Sequence, residues 1–144
     1  MSRAAITGTF PRLKRTVFLM TSVETTQYNC IAWAANDTSR WWWPTGYGYW
    51  PPGVRKAVDV DAFKAAYATL GYTECEDGSV EKRLEKIAIF ANASGAVTHA
   101  ARQLPSGTWT SKLGDWEDIS HTIYGLEGST YGSVACYMAR PRTS

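Results

Sequence analysis

The chain has 144 residues, enough for one domain and hardly enough for two. Fifteen Lys and Arg against thirteen Asp and Glu leave a net charge of +2, which excludes a nucleic-acid binder acting through charge alone. A 44% apolar and only 19% charged composition excludes a disordered chain. The anomaly is tryptophan: seven residues, three of them consecutive at Trp41, Trp42 and Trp43.

In chain order, residues 1–24 are punctuated by Thr and Pro and read as an extended arm over the core. Residues 29–36 (NCIAWAAN) predict a helix, capped by Thr25, Thr26 or Asn29 and closed by Asn36-Asp37. Residues 37–53 hold three prolines and three glycines between aromatics, which predicts a long aromatic loop. A second helix starts at Asp59 or Asp61, carries Phe63, Ala66, Tyr67 and Leu70 on one face, and stops at Gly71. Asp77-Gly78 predicts a turn, and the sign-alternating run Glu81–Lys86 predicts a solvated face.

Strands are predicted at 86–91, 97–104, 108–113 and 133–139. Helices followed by strands indicate an α+β domain with an antiparallel sheet. Pro105-Ser106-Gly107 fits a three-residue hairpin loop, with Gly107 in the left-handed position. That register sets Leu104 against Thr108, Ala101 against Ser111 and His99 against Leu113. His99, Ser111 and Leu113 then share one face.

Three widely spaced cysteines (Cys30, Cys75, Cys136) form no disulfide framework and indicate a reducing, cytoplasmic setting. The apolar run Val17–Met20 is too short for a signal sequence or a membrane span. Two histidines and three scattered thiols lack the spacing of zinc ligands, and no nucleotide-binding or calcium-loop motif is present. No metal or cofactor is therefore expected.

Cys30 stands at a predicted helix start, where free amides and the helix dipole lower a thiol's pKa. His99, between small residues on a strand, is the candidate base. Ser111 is the candidate orienting group, with Thr110, Asp115 and Asp118 as alternatives; His121 reads as a surface residue. The Cys30 amide, with Gln27 or Tyr28, would face a developing oxyanion. Trp42 and Trp43, with Gln27 and Tyr28, are candidate substrate contacts, and the aromatic loop reads as a lid, a substrate platform or a small second core.

Tyr-Asn-Cys at a helix start, a His on the first strand of a hairpin and a polar residue on the next resemble the NlpC/P60 branch of papain-like cysteine hydrolases, at Tyr28, Cys30, His99 and Ser111. The chain more closely resembles an uncharacterised family of small bacterial proteins through YNCIAWA (28–34), DTSRWWWP (37–44), THAARQL (98–104), WTSKLG (109–114), YG (131–132) and ARPR (139–142). The first resemblance implies a papain-like fold with helices packed on an antiparallel sheet. It also implies a Cys30 nucleophile acting through a thioester on a peptide or protein substrate, as peptidase, amidase, deamidase or acyltransferase. The contrasting expectation is a non-catalytic interaction module that uses the Trp-rich loop, with carbohydrate as one ligand. Nucleic acid and membrane are not expected as partners.

Overall fold

The computed structural model describes residues 2–22, 24–113 and 116–142. Four short helices, α1 (Arg3–Thr9), α2 (Cys30–Ala34), α3 (Val60–Ala68) and α4 (Ile123–Leu126), surround a seven-stranded antiparallel sheet. Its strands are β1 (Leu19–Met20), β2 (Thr73–Cys75), β3 (Leu84–Ala91), β4 (Val97–Gln103), β5 (Trp109–Lys112), β6 (Asp118–His121) and β7 (Ser133–Pro141). Their spatial order is β1-β6-β5-β4-β3-β7-β2. The α+β class is as the sequence indicates. None of the helices in the described residues is long and apolar enough to cross a membrane.

Side-chain alternation along the central strands gives the sheet two buried faces. Ile87, Ile89, Ala100 and Met138 pack against α2, α3 and the aromatic loop, through Tyr28, Ile31, Trp42, Trp50, Phe63 and Tyr67. Ala88, Phe90, Ala101, Trp109 and Ile119 pack against Ile6, Phe10, Leu13, Phe18 and Leu126. The accessible surface of 7403 Å² equals the roughly 7,400 Å² of a folded monomer this size, so two thin layers suffice to close a core around one sheet.

The N-terminal segment corrects the expected extended arm. It forms α1, capped by the Ser2 hydroxyl on the Ala5 amide at 3.1 Å, and a 3-10 turn over Pro11–Arg15. It does lie on the core, because Ile6, Phe10 and Leu13 recur at helical spacing and all three are buried. The run Glu81–Lys86 is not a uniformly solvated face either. Lys86 begins the buried stretch of β3 and is 1% exposed, its ammonium 2.6 Å from Glu81 and 3.1 Å from the Asp77 carbonyl.

The two helices read from sequence are formed as expected. Asn29 caps α2 by accepting the Ala32 amide at 3.1 Å, and Asn36 ends it in the left-handed region at φ 63°. Asp59 caps α3 through the Ala62 amide at 2.8 Å. The aromatic loop is tied into a small ladder: Tyr49 donates to the Trp41 carbonyl at 2.7 Å, and Trp43 to that of Tyr49 at 2.9 Å. Gly48 is required there, since a Cβ would sit 2.9 Å from both the amide nitrogen and Cβ of Trp43.

Candidate functional site

The hairpin register is the predicted one, with Arg102 opposite Thr110 and Gln103 opposite Trp109. Gly107, at φ 94°, donates to Leu104 at 2.9 Å, and Leu104 donates to Thr108 at 2.7 Å. The ladder stops after those two pairs, so β4 and β5 part below Arg102. The first residue of α2, Cys30, points into that parting.

Cys30 is half-buried, and the backbone amides of Ala100, Ile31 and Cys30 itself pull its thiol pKa down. Burial dominates and pushes the thiol up to about 11, against the pull of those amides and of the Lys112 ammonium. The expectation of a thiol activated by its helix start is thus corrected: withdrawal from water outweighs what one short turn of amides supplies.

His99 follows Ala100 in reverse along β4, but its ring projects to the other face. It lies opposite Phe90, with the two rings 5.2 Å apart edge to face, and stacks on Tyr131 at 4.0 Å and 7°. A bulge beside it, where Ala91 pairs with Val97, frees Thr98 to donate to the Tyr131 carbonyl and hold that ring in place. Cys30 and His99 therefore approach the gap between β4 and β5 from opposite faces. In this resting arrangement the amide next to His99, not the imidazole, acts on the thiol.

Ser111 is where the register places it, its hydroxyl 2.9 Å from His99 Nε2. The same hydroxyl is 2.7 Å from His121 Nε2, and His121 Nδ1 is 2.7 Å from the Thr122 carbonyl. His121 is therefore no surface residue; it is fully buried on β6 beside Trp109. Burial lowers its pKa to about 4 despite the Thr122 carbonyl. Burial, then the neighbouring His121, holds His99 well below the usual histidine range.

These contacts fix the protons. A carbonyl only accepts, so neutral His121 carries its hydrogen on Nδ1 and accepts at Nε2. Ser111 must then donate to His121 and accept from His99 Nε2–H. That leaves His99 Nδ1 with a bare lone pair, and this atom is buried with no hydrogen-bond partner. A buried, unpartnered lone pair is costly unless it has work to do.

The alternatives to Ser111 are otherwise engaged or out of view. Thr110 accepts the Trp33 indole at 3.1 Å, and Asp118 accepts Tyr28 at 2.7 Å and Ser22 at 2.6 Å, both on the α2 face. Asp115 lies outside the described residues. Tyr28 is buried with its hydroxyl committed to Asp118, and Trp42 is buried with its indole committed to Asp37 at 2.8 Å. Neither lines the groove beside Cys30. Gln27 is exposed, with its amide turned to Thr25 at 3.2 Å.

Trp43 lines a groove of about 600 Å³ together with Cys30, Trp41, Thr45 and Tyr47. Asp37 ties down the loop that carries Trp41 and Trp43. Burial alone would raise its pKa, but bonds from Ser39, Trp42 and Arg40 hold it far below the usual carboxylate range and fix the DTSRWWWP turn.

The fold is thus an α+β sheet domain with a hydrogen-bonded His99–Ser111–His121 chain on one face of its central strands and Cys30 on the other. Residues 19–139 match the family described as a domain of unknown function (DUF7689), and the chain belongs to that family. No curated protein and no solved structure matches the chain.

Proposed function

We propose that the protein is a papain-like cysteine hydrolase or acyltransferase, in which Cys30 attacks a carbonyl carbon and His99 moves the proton. The observation that carries this reading is the bare, buried Nδ1 of His99, one residue from the Ala100 amide that acts on the Cys30 thiol. For this, Cys30 would have to turn its S–H through the gap between β4 and β5 toward that lone pair. His99 Nδ1 would take the proton as the sulfur bonds to carbon, then give it to the leaving group. Ser111 and His121 act as positioning residues that keep the proton of neutral His99 on Nε2. Peptide or protein amides are the substrate class, and the free state of all three cysteines is consistent with a cytoplasmic setting.

The test is acyl-enzyme trapping. Incubation with p-nitrophenyl acetate at pH 7.5, roughly a unit above the free histidine pKa, should place an acetyl group on Cys30, read by peptide mass spectrometry. Acylation should be lost in Cys30→Ser and slowed about 100-fold or more in His99→Ala. Acylation of Cys75 and Cys136 at the same rate as Cys30, or no effect of His99→Ala, would sink the proposal.

A non-catalytic interaction module is the second reading, favoured by one observation: a thiol held near 11 is not poised to react by itself. In that case no cysteine is acylated selectively, while the aromatic groove still binds. A glycan titration followed by tryptophan fluorescence tests its carbohydrate form.

A further inference from the structure

The groove beside Cys30 is lined mainly by aromatic rings. Its lining is Asn29, Cys30, Trp41, Trp43, Thr45 and Tyr47, closed at the bottom by the Gly48 backbone. No charged side chain is among them. Asn29 offers neither end of its amide: Oδ1 takes the Ala32 and Trp42 amides, each at 3.1 Å, and Nδ2 donates to the Trp42 carbonyl at 2.8 Å. The Trp41 indole donates to the Thr26 carbonyl. The Trp43 indole N–H and the Thr45 and Tyr47 hydroxyls are its remaining polar groups, so a ligand meets mainly ring carbon, in a volume within the range that encloses most of a small molecule.

Position completes the argument. The groove extends from the sulfur toward the aromatic loop, and no residue of β4, β5 or β6 lines it. His99, on β4, does not line it. A leaving group must be near His99 to receive its proton, so the part of the substrate in the groove is the one that stays on the sulfur.

We infer that the groove is an acyl-group pocket, and that the enzyme selects substrates whose acyl portion is large, uncharged and apolar. This rests on the hydrolase reading above. In the reaction the Cys30 sulfur bonds to the acyl carbon, the bond from that carbon to the leaving group breaks, and the thiol proton leaves on the leaving group by way of His99. Water then adds to the thioester carbon, the acid is released, and the proton returns to the sulfur.

The experiment compares p-nitrophenyl acetate, hexanoate and octanoate below their micellar concentrations, with an acetyl-phenylalanine ester as the aromatic arm. Each methylene buried in an apolar pocket favours binding about threefold to fourfold, so kcat/KM should rise at least about tenfold from acetate to octanoate. The octanoate-to-acetate ratio should fall toward one in Trp41→Ala and in Tyr47→Ala; Tyr47 is fully exposed, so its removal does not threaten folding. A high phenylalanine ester rate with a low octanoate rate would narrow the pocket to aromatic acyl groups and still support it. His99-dependent acylation of Cys30 with no preference among the esters would overturn this inference and leave the hydrolase reading standing. Absence of acylation by every ester would overturn both.

Discussion

Acidification should unfold this protein through its two buried histidines, well before its carboxylates are protonated. His121 has a folded pKa of about 4 against an ordinary value of 6.5, because burial disfavours its charged form. Its folded-state pKa is depressed, so the unfolded chain binds the extra proton. The stability this imidazole contributes is present above pH 6.5 and is lost as pH falls toward 4. Between pH 7 and pH 5 the linkage amounts to about 2 kcal/mol, and His99, displaced in the same direction by burial, adds a loss of the same sign. Asp37 is shifted the opposite way relative to its charge and weakens the fold only below the unfolded carboxylate range, outside this window. Urea unfolding at pH 7, 6 and 5 measures the slope. His121→Phe starts from a less stable protein, because it leaves the Ser111 hydroxyl without its acceptor, but its loss from pH 7 to 5 should be about 2 kcal/mol smaller. Equal pH slopes for wild type and variant would refute the buried, neutral His121 on which the proton assignment rests.

Two further outcomes follow from packing. Gly48→Ala should destabilise by about 1–3 kcal/mol and abolish any groove-dependent ester preference, because the new Cβ meets backbone of Trp43 that cannot rotate away; calorimetry and the octanoate-to-acetate ratio check both. Lys86→Met should stay within about 1 kcal/mol of wild type in urea unfolding, since the partner carboxylate Glu81 is half exposed and can return to water, whereas Lys86→Glu should fail to fold at 37 °C, about the ordinary working temperature of mesophile domains.

What was legible in the sequence was whatever local chemistry determines. Pro105 and Gly107 fix one loop length, and one loop length fixes which residue of β5 reaches His99. Asn29 and Asp59 read as helix caps because no other role suits a short polar side chain at a helix start. The missed features depend on distant parts of the chain. His121 sits in the four-residue strand Asp-Ile-Ser-His, with one apolar residue and no alternation to reveal burial on both faces. Its importance appears only when β6 lies beside β5. The N-terminal helix did carry a signal, Ile6, Phe10 and Leu13 at i, i+4 and i+7, but Gly8 and Pro11 within it argue for a break. Trp42 illustrates a third limit: composition counts an aromatic without telling a ring stacked on Tyr67 at 6.3 Å from one facing solvent.

The direction of the two shifted pKa values constrains how the proposed site would work. A thiol near 11 is ionised in only about one molecule in 10,000 at pH 7, and a histidine far below 6.5 is neutral there. The thiolate–imidazolium pair is thus not the resting state; it would have to form in the step that attacks the carbonyl. His99 would then hold the whole positive charge. Ser111 can still accept its Nε2–H, but Ser111 passes the contact to His121, whose pKa of about 4 makes it a poor home for charge. A carboxylate in that place would stabilise the imidazolium directly, whereas a hydroxyl and a neutral imidazole only orient it. What remains to stabilise charge is the ring face of Tyr131, stacked at 4.0 Å. Under the proposed reading the attacking step would be slow until the substrate itself shifted the balance, so acyl-group binding in the aromatic groove would have to precede the thiol's action as a nucleophile.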